Sequence, residues 1–310
     1  MLPYIDSLRD IAQDAYHMTT PKKKNVETTL DSWDLKKETD YKGKEYSHAM
    51  NYFYLNYAQI LTSPISTTEE IHEAMHHEKS AGYPANSYGI HTKSDLLSCP
   101  KYLEWFSGFD PMSGEYTPIW MVSPKVEFKE TADILANKIR LFQIPPHHLL
   151  HYQLKYGRKI SERLKNFKWS AYGFNPYDGG FNDLASKLLT KRWRFSYDVS
   201  GWDKFLPNME DVYNAVLFKN PDFTSQEFDE FRWVMMHTIK PLLRFPSGAV
   251  YSKPYGNPSG SGTTTRDNIL CHVLILTYAL TCAHIEKTGV CPSYEKIDEQ
   301  VAYLFGDDNI

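Results

Sequence analysis

Cysteine is scarce in this sequence, with four among 310 residues (Cys99, Cys271, Cys282, Cys291) and no Cys-x-x-Cys spacing. That argues against a disulfide framework or a zinc site and makes a reducing compartment the expectation. The opening Met-Leu-Pro-Tyr-Ile-Asp lacks the basic stretch and apolar run of a signal peptide. The longest apolar run, Ile269 to Ala283, is too short for a membrane span and carries His272. No transmembrane segment is expected, and the protein should be soluble. Internal repeats and low-complexity tracts are missing too. The net charge of −4 is too small, and of the wrong sign, for a protein that coats nucleic acid by bulk electrostatics.

What is present is a chain 42% hydrophobic, with 22 Tyr and 16 Phe, able to bury one large core or two smaller ones. Basic residues are concentrated: the stretch from Lys125 to Arg194 holds 14 Lys and Arg against 6 Asp and Glu. This pattern fits either a lined channel or a set of solvated helix faces, and charge alone does not separate the two. Ser66-Thr67-Thr68-Glu69 reads as a capping box opening a helix towards His77, followed by a breaker-rich loop, Ser80 to Pro84. A helix is expected over Ala132 to Asn137, a strand over Lys138 to Ile144 and a helix over His147 to Phe167. Phe195, Tyr197 and Val199 alternate as a strand, and helices follow over Glu210 to Phe218 and Ser225 to Lys240. Leu242 to Phe245 and Ala249 to Ser252 flank Pro246-Ser247-Gly248 as a hairpin. A long helix over Thr264 to Lys287 is ended by Gly289, and a last strand runs from Val301 to Phe305. This order predicts an α+β fold rather than βαβ winding.

Three patterns carry chemistry. Asp198-x4-Asp203 puts a carboxylate at a strand end facing open space, though such a pair alone is more often turn chemistry. Gly306-Asp307-Asp308 places two mutually repelling acids at a hairpin tip, a repulsion that a divalent cation would relieve. With Asp198 on a neighbouring strand, the acids could hold two Mg²⁺ ions ~3.5–4 Å apart for in-line displacement at phosphorus. The third pattern runs from Gly256 to Asn268, where glycines permit close backbone approach and Ser259, Thr264 and Asn268 offer short polar groups at a helix start. Reading a ribose 2′-OH needs donors and acceptors of this kind.

In this order and spacing, the patterns resemble the palm motifs of RNA-dependent RNA polymerases of positive-strand RNA viruses, in the picornavirus-like supergroup. Asp198-x4-Asp203 resembles motif A, Ser259-Gly260-x3-Thr264-x3-Asn268 motif B, and Gly306-Asp307-Asp308 motif C. Lys125-Val-Glu-x-Lys129 with Lys138-Ile-Arg140 is similar to motif F of the fingers. Ser80 to Pro84 with Gly89 to Asp95 resembles the index-finger region, and Tyr172 to Pro176 also fits that group. The resemblance implies a right-hand polymerase with fingers and palm, the palm being an antiparallel sheet flanked by helices, and no thumb. Residues 1–60 would be an N-terminal extension, 61–190 fingers, and 191–310 palm with a fingers insertion around 208–240.

The resemblance also implies that Asp198 and Asp307, assisted by Asp308, bind two Mg²⁺ or Mn²⁺ ions. Asp203, Ser259, Gly260 and Asn268 would read the ribose, with Thr264 supporting their loop. Lys138 and Arg140 would hold the triphosphate, and Lys125 and Lys129 would line the nucleotide tunnel. Implied partners are RNA template and primer, NTPs and other viral replication proteins, with a viral polyprotein as source and the host cytoplasm as site. Because the sequence stops two residues after Asp308, before any motif D, motif E or thumb, this polypeptide alone is expected to polymerise little or not at all. Rival readings are a reverse transcriptase-like polymerase and a catalytically silent palm-like scaffold.

Overall fold

Short side chains that fold back on the backbone set several helix starts in this chain. The computed structural model describes residues 16–18, 43–62, 65–136, 140–165, 167–191, 194, 196–199, 201–206, 208–300, 302–306 and 308–309. Helices α1 (Lys44–Asn56) and α2 (Ala58–Leu61) come first. Helix α3 (Thr68–Ala74) is opened by a reciprocal box between Thr67 and Glu70, one residue later than the sequence pattern places it. It also stops short of His77, because Met75 is extended. Thr92 and Asp95 repeat the device at α4 (Lys93–Leu97), and Pro100 opens α5 (Pro100–Ser107).

Strands β2 (Ile119–Pro124) and β4 (Leu141–Ile144) pair antiparallel, and β5 (Leu242–Arg244) lies parallel on the other side of β2. The predicted hairpin brings β6 (Val250–Ser252) onto β5, with Gly248 at φ 92° in its turn. The sheet order is therefore β4-β2-β5-β6, and the sheet is mixed rather than antiparallel. More than a hundred residues of helix and loop separate β2 from β5, ample for a parallel crossover. Strand β1 (Tyr16–Met18) pairs with β3 (Phe128–Glu130), which leads into α6 (Thr131–Leu135). Predicted positions Asn137, Lys138 and Ile139 lie outside the described residues.

Helix α7 (His147–Leu164) is followed by α8 (Gly180–Leu189), α9 (Trp202–Phe205), α10 (Met209–Lys219) and α11 (Ser225–Ile239). Of the strand predicted on Phe195, Tyr197 and Val199, residues 196–199 are not in a ladder, and Phe195 lies outside the described residues. The hydroxyl of Tyr197 instead bonds to the ring of His272. Helix α12 (Thr264–Thr288) ends at Gly289, φ 79°, as its sequence predicts. After α13 (Tyr294–Asp298), β7 (Leu304–Phe305) and β8 (Asp308–Asn309) form a two-residue hairpin around Gly306. The last strand is thus shorter than predicted, and Leu304 is bridged on its other side to Trp169 and Ala171.

The main core gathers around α12. By length and composition this 25-residue helix could cross a membrane, unlike the shorter apolar run picked out in the sequence. Its first half, however, buries polar residues beside apolar ones: Asp267, Asn268, His272 and Thr277 beside Ile269, Leu270, Val273 and Leu274. Those polar groups have partners inside the fold, as expected of a core helix. Residues 43–61, which show weak periodicity, supply the other side: α1 buries Ala49, Tyr52 and Phe53, and Tyr46 meets Tyr278 edge-on at 5.8 Å.

The start of α12 is pinned by a buried ion pair. Arg266 donates from Nε (2.8 Å) and Nη2 (2.5 Å) to Oδ1 of Asp267, and the pair is 3% and 0% exposed. Oδ2 of Asp267 accepts from the Thr263 hydroxyl (2.7 Å) and the Tyr213 hydroxyl (3.1 Å). Gly157 of α7 leaves the room this needs, since a Cβ there would lie 2.6 Å from Nη1 of Arg266. Removing one partner of such a pair strands a charge in the core. Asp267→Ala should cost about 3–5 kcal/mol, against about 1 kcal/mol for Tyr213→Phe. Denaturant unfolding measures both, and equal losses would refute the ranking.

Candidate active site

The loop from Gly256 to Thr263 leads into α12 and touches two other elements. On one side it meets α9. Gly256 has φ 88°, and a Cβ there would lie 2.6 Å from the carbonyl oxygens of Asp203 and Lys204. Fully buried Asn257 donates its backbone N–H to Asp203 O (3.0 Å) and its amide to Thr264 O (3.0 Å) and Asn268 Oδ1 (2.8 Å). Asn268 then donates to Oδ1 of Asp203 (3.0 Å). Lys253, whose amine is pushed down by burial to about 8, adds a bond to Asp203 O at 3.1 Å. Asp203 and Asn268, 65 residues apart in sequence, are therefore joined directly, and the Asn268 amide is fixed in orientation by Asn257.

On its other side the loop lies on β4. Both the N–H and the hydroxyl of Ser259 donate to Oε1 of Gln143 at 2.9 Å. A Cβ on Gly260 would fall 1.8 Å from Gln143 O, so only glycine fits there without a shift. The Thr264 hydroxyl donates to Pro258 O (2.8 Å) and Ser261 O (3.0 Å), closing the loop on itself. Ser259 is thus bonded to Gln143 of β4, while Asp203 and Asn268 are bonded to each other.

Asp198 is exposed in a segment outside any strand, and Asp308 is exposed on β8. Asp307 lies outside the described residues, as does Lys138. A single histidine joins the two acid-bearing segments: His272 Nε2 meets the Tyr197 hydroxyl at 2.8 Å, and Nδ1 meets Gly306 O at 3.2 Å. Among the described residues, no group of three or more His, Cys, Asp or Glu is gathered to hold a metal. Asp198 and Asp308 would be two members of such a group, and their hard oxygen donors suit Mg²⁺.

The basic residues divide into two kinds. Lys125 N–H donates to Arg140 O (2.9 Å), so the β2 and β4 arms stay together up to this point. Beyond it, Glu127 lies between Lys125 (3.3 Å) and Lys129 (3.5 Å), while Arg140 is exposed. Further along, Lys155, Lys168 and Lys187 are ion-paired at 2.5, 2.5 and 2.6 Å with Glu230, Asp298 and Asp183, and Lys159 is paired with Glu70. Arg158, itself paired with Glu162 at 3.0 Å, and Lys165 join Lys79, Lys93 and Glu162 in lining a cavity of about 690 Å³ next to Gly260 and Gly262.

Residues 32–310 match the family model of viral RNA-dependent RNA polymerases. The chain belongs to that family. It is 22% identical over 250 residues to the non-structural polyprotein 1AB of Ovine astrovirus 1, covering 75% of this chain and 18% of the relative. The corresponding protein of Turkey astrovirus 1 is 22% identical over 278 residues, covering 83% and 16%. The genome polyprotein of Brome streak virus (strain German) is 27% identical over 175 residues, covering 52% and 18%. The chain thus spans less than a fifth of these relatives' length.

Sequence reasoning missed three contributors to this polymerase-family site. Asn257 had a signal, lying between Gly256 and Pro258 inside the loop already singled out. Gln143 and His272 had none, since their partners are 116 and 34–75 residues away.

Proposed function

We propose that the chain is the fingers and palm of an RNA-directed RNA polymerase that joins NTPs to an RNA 3′-OH on an RNA template, in viral genome replication and transcription. The reading is carried by the Asp203–Asn268 bond, held by Asn257 beside a loop whose glycines admit close approach. That pair offers a carboxylate and an amide in fixed orientation, which suits discrimination at a ribose 2′-OH. Residues 61–190 are assigned to fingers and 191–310 to palm, with 208–240 as a fingers insertion and 1–60 as an N-terminal extension. Contacts between α11 and α7 support that grouping: Gln153 reaches Thr238 at 2.9 Å, and Tyr156 reaches Glu230 at 2.6 Å.

In this reading Asp198, Asp307 and Asp308 hold two Mg²⁺ or Mn²⁺ ions, which when bound supply Lewis acidity at the 3′-OH and the triphosphate. The chain's own groups do the rest. The carboxylates orient the reacting ends, Arg140 and Lys138 neutralise the triphosphate, and Lys125 and Lys129 attract it through the tunnel. Asp203, Asn268, Ser259 and Gly260 receive the ribose, with Thr264 bracing the loop. The cavity lined by Lys79, Lys93, Arg158 and Lys165 suits an RNA backbone. The polyprotein names of the relatives support an origin in a viral polyprotein. Action among other replication proteins in the host cytoplasm is part of the same proposal.

RNA-templated incorporation of NTP against dNTP, measured in the full-length polymerase that carries this chain, tests the reading. Asn268→Ala should cut the NTP preference about tenfold, the equivalent of one hydrogen bond to a charged network. Unchanged discrimination would sink the ribose assignment, and preference for dNTP in the wild type would favour a reverse transcriptase.

A further inference from the structure

We propose that His272 is a positioning residue that sets the spacing between the Asp198 segment and the Asp307–Asp308 turn. The proposal rests on the polymerase reading above. His272 lies on α12 one turn beyond Asn268, on the same face, and is 1% exposed. Its ring is packed against Trp202 at 4.7 Å and Tyr197 at 5.7 Å between centroids.

Both ring nitrogens are engaged, and their partners fix the tautomer. A carbonyl oxygen only accepts, so the bond to Gly306 O requires the proton on Nδ1. In the neutral ring Nε2 then carries the lone pair and accepts from the Tyr197 hydroxyl. Tyr197 directly precedes Asp198, and Gly306 directly precedes Asp307. One flat, rigid ring therefore spans the two segments that carry the acids.

The usual means of fixing such a distance would be a β-ladder, and among the described residues none joins these segments. Residues 196–199 are in no strand, and β7 pairs only with β8 and with a bridge to Ser170. Gly306 sits at the turn of the two-residue hairpin with φ 70°, and its carbonyl oxygen is the one that the ring holds. A buried histidine satisfied by two arbitrary partners would be ordinary core structure. Here each partner is the residue immediately before a proposed metal ligand.

Three variants separate positioning from mere support: Tyr197→Phe, His272→Asn and the double variant. Asparagine can still donate to Gly306 O from the position of Nδ1 but cannot reach the Tyr197 hydroxyl. Mn²⁺ affinity of this chain, followed by electron paramagnetic resonance, should weaken about tenfold in each single variant and no further in the double, because one bond is lost in all three. His272→Leu, which loses both bonds, should weaken it further, and part of that loss should be recovered in His272→Asn. In the full-length polymerase the same variants should raise the Mg²⁺ concentration for half-maximal synthesis while leaving NTP/dNTP preference unchanged. Additive losses in the double variant, or a lowered Tm with unaltered Mn²⁺ binding, would overturn the proposal. A wild type without templated synthesis would overturn the polymerase reading as well, whereas an active wild type with indifferent His272 variants would overturn this inference alone.

Discussion

Replacing Asp198 with alanine should lower RNA-templated nucleotide addition at least about a thousandfold, the scale of several kcal/mol of lost charge stabilisation. The melting temperature should stay within about 2 °C of the wild type, as expected for an exposed position outside any ladder. The two halves of this result belong together. Asp198 is exposed and sits in a segment with no strand partner among the described residues, so the fold does not need its carboxylate. Asp267 is the opposite case, fully buried and bonded to three side chains, and its loss should be read in stability. Single-turnover primer extension beside a thermal melt makes the comparison. Activity within tenfold of wild type would remove Asp198 from the chemistry, and a melt several degrees lower would make it structural.

The second large effect is an acid transition set by buried imidazoles. Burial pushes His147 and His148 down to about 3, and His151 and His237 down to about 4. His147 and His148 are 1% and 2% exposed, and Nε2 of each, like Nδ1 of His151, has no hydrogen-bond partner among the described residues. The neighbours also disfavour a charge: His147 faces His151, His72, Lys93 and His77, His148 faces His147 and His237, and His151 faces His72 and Lys155. Glu230, opposite His151, is the one acid among these groups that favours it. Because the folded-state values are depressed below the ordinary 6.5, the unfolded chain binds more protons between pH 6.5 and about 3 to 4. The stability contributed by these groups is complete above 6.5 and is lost as the pH falls.

Each group contributes a slope of about 1.4 kcal/mol per pH unit in that window. His147 interacts with His151, and His148 with His147 and His237, so the four slopes do not simply add. One or two of them over about two pH units already amount to a large share of an ordinary domain's roughly 5–15 kcal/mol. Far-ultraviolet circular dichroism between pH 7.5 and 4.5 should therefore show Tm falling steeply below 6.5. His148→Phe, which keeps the aromatic contacts to Trp105, Phe109 and Tyr116, should flatten the fall. A Tm independent of pH across this range would refute the assignment. Carboxylates such as Glu70 and Asp95, whose values are lowered by hydrogen bonds, act at lower pH and do not confuse the window.

Elements governed by local rules were legible in the sequence. The 3.6-residue spacing of α7, α10 and α11, the Gly289 stop of α12 and the Pro246-Ser247-Gly248 turn all depend on neighbours close in the chain. What depends on distant partners was not. The Tyr197 segment alternates like a strand, yet its partner is a histidine 75 residues away. The parallel pairing of β2 with β5 leaves no mark in either strand. Helix α1 was obscured because its buried face is made of Tyr52 and Phe53 beside other aromatics that are only partly covered. The same division runs through the site. Asp203 and Asn268 could be named from motif spacing, whereas Gln143 and His272 act through single long-range bonds that no periodicity reports.

Gln143 gives the loop before α12 a mechanical character. One amide oxygen accepts both the N–H and the hydroxyl of Ser259, and the neighbouring Gly260 lies flush against the same strand. Rotating the Ser259 hydroxyl breaks one of these bonds and leaves the N–H bond in place, whereas lifting Gly260 off the strand would break both. The amide therefore acts as a catch that lets the hydroxyl swing while the backbone stays seated. With each bond contributing about 1 kcal/mol, freeing the hydroxyl costs about half of what lifting the loop costs.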